Sequence, residues 1–361
     1  MTDTTTPTTT PATTLPAALA RALTPEVPGP PVPPGPRVNP WHRAGAVPVA
    51  GDAVPERLRH LLDGLWRSPG YHRLPDGTAT RIRQRPVPSA GATYPVHTHL
   101  VVGPAGLAEH GELGELGPGR YVFDHEHGQL LRRRSPDPPT AWEAAGPAAL
   151  TMVLTVQPGR SVGRYRHRAW PLWIADVAYA VTALEFLLPE RPAVSTGPAA
   201  WLRALLDVPR AAAADEWLGS GLAPEIPLAA VDLPPQWTVD AHRARALAAR
   251  RSPALAEFAA AGHRPADPRA AEVARLSGQT WVRGAARVET WSVSTQAPAH
   301  ELAESLWQAH RQAAALCYRG AASGRWRSRP VSGIPARNSR WITHALAMLP
   351  GNAAGEETDA P

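Results

Sequence analysis

The chain has 361 residues, with 37 basic and 31 acidic side chains and a formal net charge of +6. Every basic side chain is an arginine, and the absence of lysine excludes Schiff-base, P-loop-lysine and lysine general-base chemistry. The single cysteine, Cys317, excludes an internal disulfide framework and a cysteine-rich zinc site. No apolar stretch reaches the ~18 residues of a membrane span and no secretory signal pattern is present, so we expect a soluble cytoplasmic protein.

The positive charge does not indicate nucleic-acid binding. Arginines occur throughout the chain and acidic residues are interleaved with them almost one for one. The densest clusters, at 132–134 and 325–329, are short, and no zinc-finger, RNP-type or basic-zipper pattern accompanies them. We therefore predict no nucleic-acid partner, because charge alone speaks only to solubility and non-specific association.

Three regions are expected along the chain. Residues 1–52 are rich in threonine and proline and are predicted to form a disordered tail and arm. Apolar spacing then predicts, in chain order, a helix over 54–66, strands over 96–102, 119–123, 129–132 and 149–156, a buried helix over 172–188, a helix over 201–214 and a strand over 226–233. Residues 53–235 are thus one α+β or α/β domain. Residues 236–361 are predicted to be a helical extension, with helices over 241–261 and 300–318.

Two short motifs have simpler explanations than catalysis or metal binding. Residues 159–163 match the G-x-S-x-G nucleophile elbow, but a helix does not follow Ser161 directly, as a true elbow requires. His97 and His99 lie two residues apart, which places both imidazoles on one face of a strand. No carboxylate or cysteine follows at zinc spacing, so we predict no metal site.

The segment Arg85–Pro95 is the most informative in the chain. Small residues over 89–92 let a backbone come close to a planar or anionic ligand and expose amide N–H donors. Ser89 adds a hydroxyl, and Arg85 a guanidinium suited to phosphate or to a flavin carbonyl. An ordinary turn that enters the strand at Val96 is equally consistent with these residues.

Pro88–Pro95, read as PSAGATYP, resembles the P-S-A-G-A-x-Y-P signature of the SagB-type, nitroreductase-like flavoproteins. These are the dehydrogenases of thiazole/oxazole-modified peptide biosynthesis. Other segments resemble the family in its order: Gly119–Asp124 its G-x-Y-x-Y-D hairpin, the apolar helix with Asp176, and Glu225–Ala229 its E-x-P-L strand. The resemblance covers roughly residues 53–235.

The resemblance implies an α+β, nitroreductase-like FMN fold. A central, mostly antiparallel sheet would be flanked by helices, and residues 236–361 would form the helical extension or a degenerate partial second unit. The FMN would lie at a homodimer interface, with the long apolar helix in the dimer core. Carried over position by position, the flavin-lining residues are Arg85, Ser89, Ala90, Gly91 and Tyr94.

The resemblance also assigns the catalytic pair. The family has a Lys-Tyr pair, and Arg164 and Tyr165 stand at that place. Tyr165 is then the expected base, with Arg164 lowering its pKa, although a basic loop that merely flanks the helix is the simpler alternative. The family's N-terminal phosphate-binding arm is not visible, and Arg325–Pro330 resembles such an arm at the wrong end of the chain.

The expected function is therefore an FMN-dependent dehydrogenase that oxidises thiazoline or oxazoline rings of a ribosomal, thiopeptide-like precursor peptide. Cyclodehydratase enzymes are the expected partners. Two alternatives stay open: a flavin reductase that uses NAD(P)H on a small molecule, and a non-catalytic subunit that binds a peptide or partner.

Overall fold

The computed structural model describes residues 38–68, 70–74, 76–103, 116–134, 150–197, 200–261, 267–336 and 339–351. Most of the tail expected over 1–52 therefore lies outside the described residues.

Antiparallel strands and apolar helices make up the described chain. The strands are β1 (Val47–Pro48), β2 (Gly70–Arg73), β3 (Ala79–Gln84), β4 (Val96–Val102), β5 (Gly119–Asp124), β6 (Gln129–Arg132), β7 (Leu150–Val156), β8 (Ala193–Thr196), β9 (Ile226–Asp232), β10 (Arg287–Ser294), β11 (Trp326–Val331) and β12 (Arg340–Pro350). The helices are α1 (Glu56–Trp66), α2 (Val162–Tyr165), α3 (Ala169–Leu187), α4 (Ala200–Leu206), α5 (Ala214–Gly219), α6 (Ala241–Ala249), α7 (Leu255–Ala260), α8 (Pro268–Ser277) and α9 (Ala299–Ala322).

The central sheet has seven strands in the order β1-β6-β5-β4-β7-β9-β8, and every neighbouring pair is antiparallel. The strands predicted over 96–102 and 149–156 are β4 and β7, which are neighbours inside this sheet; they pair along their whole length, and every residue of both is buried. This confirms the predicted α+β class with an antiparallel sheet flanked by helices.

Helices cover both faces of this sheet because successive side chains of a strand point to opposite sides. From β4, Leu100 joins the large apolar cluster that contains α1, α3 and part of α9. Its neighbour Val101 joins a smaller cluster on the other face, with Leu202 and Leu205 of α4. The strand is therefore buried on both sides, which explains its nearly continuous apolar sequence.

Helix α3 is the most buried helix of the fold. Apart from Asp176 and Glu185 it carries no charged residue, and most of its positions are buried. By length and composition alone it could cross a membrane, but 78% of its most apolar 18-residue window is buried inside the fold. The apolar character of α3 is therefore accounted for by packing within the protein.

The region after residue 235 contains more than the expected helices. A separate three-stranded antiparallel sheet, ordered β10-β12-β11, lies in it together with α6, α7, α8 and α9. One side of this sheet packs on α8 in a second apolar cluster, through residues such as Val273, Val288 and Ala345. Helix α9 joins the first cluster instead, where it packs on α3.

Three predicted elements differ from the structure. The helix predicted over 201–214 ends at Leu206, because the chain leaves the helical conformation at Asp207, whose φ is 51°, and Pro209 follows; the next helix, α5, begins only at Ala214. The helix predicted over 241–261 is likewise interrupted, since α6 ends at Ala249 and Pro253 precedes α7. The antiparallel hairpin of β2 and β3 lies between the helix predicted over 54–66 and Pro88, where the sequence predicts no element.

Candidate functional site

The loop that enters β4 has an unusual backbone. Gly91 has a φ of 58°, and two residues with side chains, Ala92 and Tyr94, have φ values of 54° and 46°. Positive φ is uncommon for residues other than glycine and costs free energy, so the surrounding structure must hold such residues in place. Strain of this kind concentrates at functional sites, which directs attention to the contacts of this loop.

The buried carboxylate of Asp176 accepts two hydrogen bonds from the loop that enters β4. The Ser89 hydroxyl donates to Asp176 Oδ2 at 3.0 Å, and the Ala90 N–H donates to Asp176 Oδ1 at 2.9 Å. The Ser89 Oγ in turn accepts a hydrogen bond of 2.9 Å from the Tyr94 N–H. Asp176 therefore anchors both ends of the turn to the centre of α3.

Burial dominates the acid–base character of Asp176. Removal from water raises its pKa from 3.8 to about 7, although the hydrogen bonds from Ala90 and Ser89 act in the opposite direction. The Asp176 carboxyl group therefore gains or loses its proton near neutral pH, at the point where it is hydrogen-bonded to the loop.

The expected catalytic pair lies against the same loop. Arg164 Nη1 is 3.4 Å from the Gly91 carbonyl oxygen, to which it donates, and the Arg164 guanidinium lies 5.4 Å from the centre of the Tyr165 ring. A Cβ atom built on Gly91 would overlap the Tyr165 hydroxyl oxygen. The structure therefore brings together Ser89, Ala90, Gly91, Arg164 and Tyr165, from two segments far apart in the sequence.

The acidity of Tyr165 differs from the expectation. Burial raises its pKa above the usual 10.0; Arg164 lowers it, but by less than burial raises it, and Asp176 raises it further. Arg164 lowers the Tyr165 pKa as expected, but the net shift is upward because desolvation outweighs one neighbouring cation. At neutral pH the hydroxyl keeps its proton.

Arg85 and Tyr94 line a small cavity away from Gly91 and Tyr165. The Arg85 guanidinium lies over the Tyr94 ring, 4.8 Å from its centre, and contacts His125 Nδ1 at 3.2 Å and Glu126 at 3.8 Å. These residues line a cavity of about 20 Å³, enough for one water molecule. Among the described residues, neither Gly91 nor Tyr165 lines this cavity, so the structure divides the seven expected site residues into two groups.

His97 and His99 share a carboxylate partner that the sequence spacing did not predict. His97 Nδ1 lies 3.1 Å from Glu225 Oε1 and His99 Nε2 lies 2.8 Å from Glu225 Oε2, and all three residues are buried. Thr155 and Asn39 donate further hydrogen bonds to the same carboxylate, each 2.5 Å long. Within the described residues no cluster of histidine, cysteine or carboxylate side chains is arranged to hold a metal.

The charge state of Glu225 follows from these contacts. Burial by itself would raise its pKa, but His97 and His99 outweigh burial and hold the pKa well below its usual value. The E-x-P-L motif draws attention to Glu225 in the sequence, but only the fold shows that its carboxylate contacts His97 and His99.

The remaining motifs have structural roles. Ser161 of the G-x-S-x-G match is buried, and its Oγ accepts a hydrogen bond of 2.5 Å from the Trp173 indole N–H. In the arm-like segment, Arg327 pairs with Glu257 at 2.5 Å and Arg329 donates to the Pro253 carbonyl at 2.9 Å. These side chains are engaged within the protein.

No protein-family model matches the sequence. No curated protein matches it either. Among solved structures, a protein of Anabaena variabilis assigned as a nitroreductase is similar with a TM-score of 0.57 and 14% identity, over 81% of this chain and 87% of that one. The chain therefore has a nitroreductase-like fold. Because residues 53–235 are only about half of the chain, the similarity must extend beyond them.

Two further structures match with lower TM-scores. The Escherichia coli microcin synthetase McbBCD complex with truncated pro-MccB17 bound has a TM-score of 0.31 and 12% identity, over 48% of this chain and 60% of that one. A protein of Ralstonia eutropha, also assigned as a nitroreductase, has a TM-score of 0.25 and 18% identity, over 60% of this chain and 95% of that one.

Proposed function

We propose that this protein is an FMN-dependent dehydrogenase that oxidises thiazoline or oxazoline rings in a ribosomally made peptide. One observation carries the proposal: the loop with the P-S-A-G-A-x-Y-P signature and the Arg164–Tyr165 pair meet at Gly91. These are the two segments that the family resemblance assigns to flavin contact and to catalysis. The domain over 53–235 carries this site.

The loop fits a planar, anionic group. Its side chains are small from Ser89 to Ala92, and Gly91 is exposed. Two arginines donate to its carbonyl groups, Arg164 to Gly91 and Arg160 to Thr93, the latter at 2.8 Å. A backbone with small side chains between guanidinium groups suits the ring and the negative charge of a reduced flavin.

Different residues would bind the flavin and support the loop that holds it. Ser89, Ala90 and Gly91 would hold the flavin ring, and Asp176 would keep their backbone in its strained conformation. Bound FMN would supply a two-electron acceptor that takes the hydride from the azoline ring, with oxygen as the final oxidant. Arg85 and Tyr94 would support the loop from the sheet side.

Tyr165 would be the base that accepts the proton lost from the azoline ring. Aromatisation removes one proton and one hydride from the ring, so a group of the protein must take the proton. The Tyr165 hydroxyl lies next to the loop, and its raised pKa makes it a strong base once it has lost its own proton. Arg164 would stabilise the phenolate as it forms, since arginine keeps its charge and cannot itself accept a proton.

The test is a reaction of the purified full-length protein with FMN and a synthetic azoline-containing peptide in air. We expect yellow protein with bound flavin and the loss of two hydrogens per ring, measured by mass spectrometry. Rapid NAD(P)H oxidation without any peptide would instead identify a small-molecule reductase. Absence of both flavin binding and turnover would identify a non-catalytic subunit.

A further inference from the structure

The last third of the chain repeats the topology of part of the central sheet. In the first unit, β7 is followed by the long helix α3 and then by β8 and β9, and the strands are ordered β7-β9-β8. In the second unit, β10 is followed by the long helix α9 and then by β11 and β12, and the strands are ordered β10-β12-β11. All four strand pairings are antiparallel.

The same irregularity occurs at the same place in both units. The register of β7 with β9 shifts between Leu154 and Thr155, where β9 has one extra residue, Leu228. The register of β10 with β12 shifts between Trp291 and Ser292, where β12 has one extra residue, Thr343. A bulge is a specific local feature, so its recurrence indicates a repeated structure and not a chance similarity of topology.

The two long helices also share a sequence pattern. Residues 172–176 of α3 read LWIAD, and residues 306–310 of α9 read LWQAH. Both tryptophans, Trp173 and Trp307, are buried. The pattern aligns Asp176, which anchors the loop of the candidate site, with His310.

Helices α3 and α9 pack on each other in opposite directions. Tyr179, near the middle of α3, accepts at its carbonyl oxygen a hydrogen bond of 2.9 Å from the hydroxyl of Tyr318, late in α9. Glu185, later in α3, pairs at 2.5 Å with Arg311, earlier in α9. Antiparallel packing is the arrangement that a two-fold axis perpendicular to the two helices would give.

We propose that residues 287–350 are a second, truncated copy of residues 150–232 and take the place that a second subunit would occupy. The two-fold interface expected between two chains is then formed inside one chain, by α3 and α9. This inference rests on topology and packing alone and does not depend on FMN or on azoline chemistry.

The second copy has no candidate site of its own, so one chain carries one site. In the first copy, β7 pairs on its other side with β4, and β4 carries the loop from Ser89 to Pro95. In the second copy, β10 is an edge strand within the described part of the chain and has no counterpart of β4. His310 does not anchor a loop but packs on His344, with ring centres 4.3 Å apart.

The mass of the full-length protein in solution tests this proposal. Sedimentation or light scattering should give the mass of one chain, 38.5 kDa, over a wide range of protein concentration. A stable species of two chains would overturn the proposal. The measurement needs no flavin or peptide, so it can succeed where the proposed function fails, and the reverse.

A second test uses the absence of lysine. Arg311→Lys introduces the chain's only side-chain amine, next to the Glu185 carboxylate, and a zero-length carbodiimide reagent joins such a pair. We expect a cross-link between α3 and α9 in a band of single-chain mass. A cross-link that joins two chains, or none in a variant with a normal circular-dichroism spectrum, would overturn the proposal.

Arg319→Lys is the matched control. Arg319 is an exposed residue of the same helix and has no ion pair among the described residues. An amine at this position should give no cross-link to Glu185. A cross-link from position 319 to Glu185 as strong as that from position 311 would contradict the antiparallel register of α3 and α9 and would overturn the proposal.

Discussion

Ser89 and Asp176 are joined by a hydrogen bond of 3.0 Å from the serine hydroxyl to the carboxylate. This bond ties a strained loop to the most buried helix of the fold, across two segments that are 87 positions apart in the sequence. The stability and the chemistry of the loop should therefore depend on the charge of one buried carboxyl group.

Asp176→Asn should change the pH dependence of stability. The pKa of Asp176 is raised to about 7 in the folded protein, so folding takes up a proton between its ordinary pKa of 3.8 and about 7. Its contribution to stability is fully present below the lower value and is lost as pH rises through the upper one. At full size the effect is roughly 4 kcal/mol.

The measurement is denaturant unfolding of the wild type and Asp176→Asn from pH 5 to pH 8. The stability of the wild type relative to the variant should fall as pH rises over this range. A constant difference would show that the carboxyl does not titrate there. The comparison between the two proteins removes the contributions of all other groups that they share.

Gly91→Ala should abolish flavin-dependent turnover. A Cβ at this position would overlap the Tyr165 hydroxyl, and the φ of 58° disfavours any side chain. Gly77→Ala is the control, because Gly77 also has a positive φ, +85°, but open space around its Cβ position. Both variants should lose roughly 1 kcal/mol of stability from backbone strain, measured by thermal unfolding, whereas only Gly91→Ala should lose activity.

Tyr165→Phe should lower the rate of ring oxidation by about 10²- to 10⁴-fold, the usual effect of removing a group that transfers a proton. Because burial raises the Tyr165 pKa, the wild-type rate should rise with pH from 7 to 9, as more of the hydroxyl becomes ionised. Tyr71→Phe, at an exposed position of β2, should keep both the rate and its pH profile. An unchanged pH profile in Tyr165→Phe would assign the proton transfer to another group.

Glu225→Gln should destabilise the protein by about 3 to 5 kcal/mol, because it removes the one charge that four buried donor groups share. Glu216→Gln, on the exposed side of α5, should change stability by less than about 0.5 kcal/mol. Chemical denaturation near pH 7 measures both values. Equal stability of the two variants would mean that the buried network contributes nothing beyond a surface carboxylate.

The pH dependence of this network has the opposite sign to that of Asp176. The folded-state pKa of Glu225 is held well below its ordinary 4.5. Its stabilising contribution is therefore present above pH 4.5 and is lost as pH falls below that value. Acid unfolding of the wild type should show this loss, and Glu225→Gln should unfold with a weaker dependence on pH in the acid range.

The sequence by itself determined the elements whose pattern is local. The strands predicted over 96–102 and 149–156 and the buried helix predicted over 172–188 follow from runs of apolar residues, because the length of such a run separates a short strand from a long helix. The loop Pro88–Pro95 was also recognisable, because its sequence resembles the P-S-A-G-A-x-Y-P signature. The helix boundaries near 207 and 250 were missed, because a proline or a single positive φ interrupts helices that composition alone would continue.

Only the tertiary structure decided which of these segments meet. In the sequence, Asp176 is one charged residue in an apolar helix, and only the fold shows its hydrogen bond with Ser89. Likewise, Glu225 has no partner in the nearby sequence, and only the fold shows its contacts with His97 and His99. The raised pKa of Tyr165 likewise depends on burial that no neighbour in the sequence reveals. Desolvation and long-range hydrogen bonds depend on distances in space, and for that reason neither the chemistry of the site nor the repeat that pairs α3 with α9 could be determined before the chain was folded.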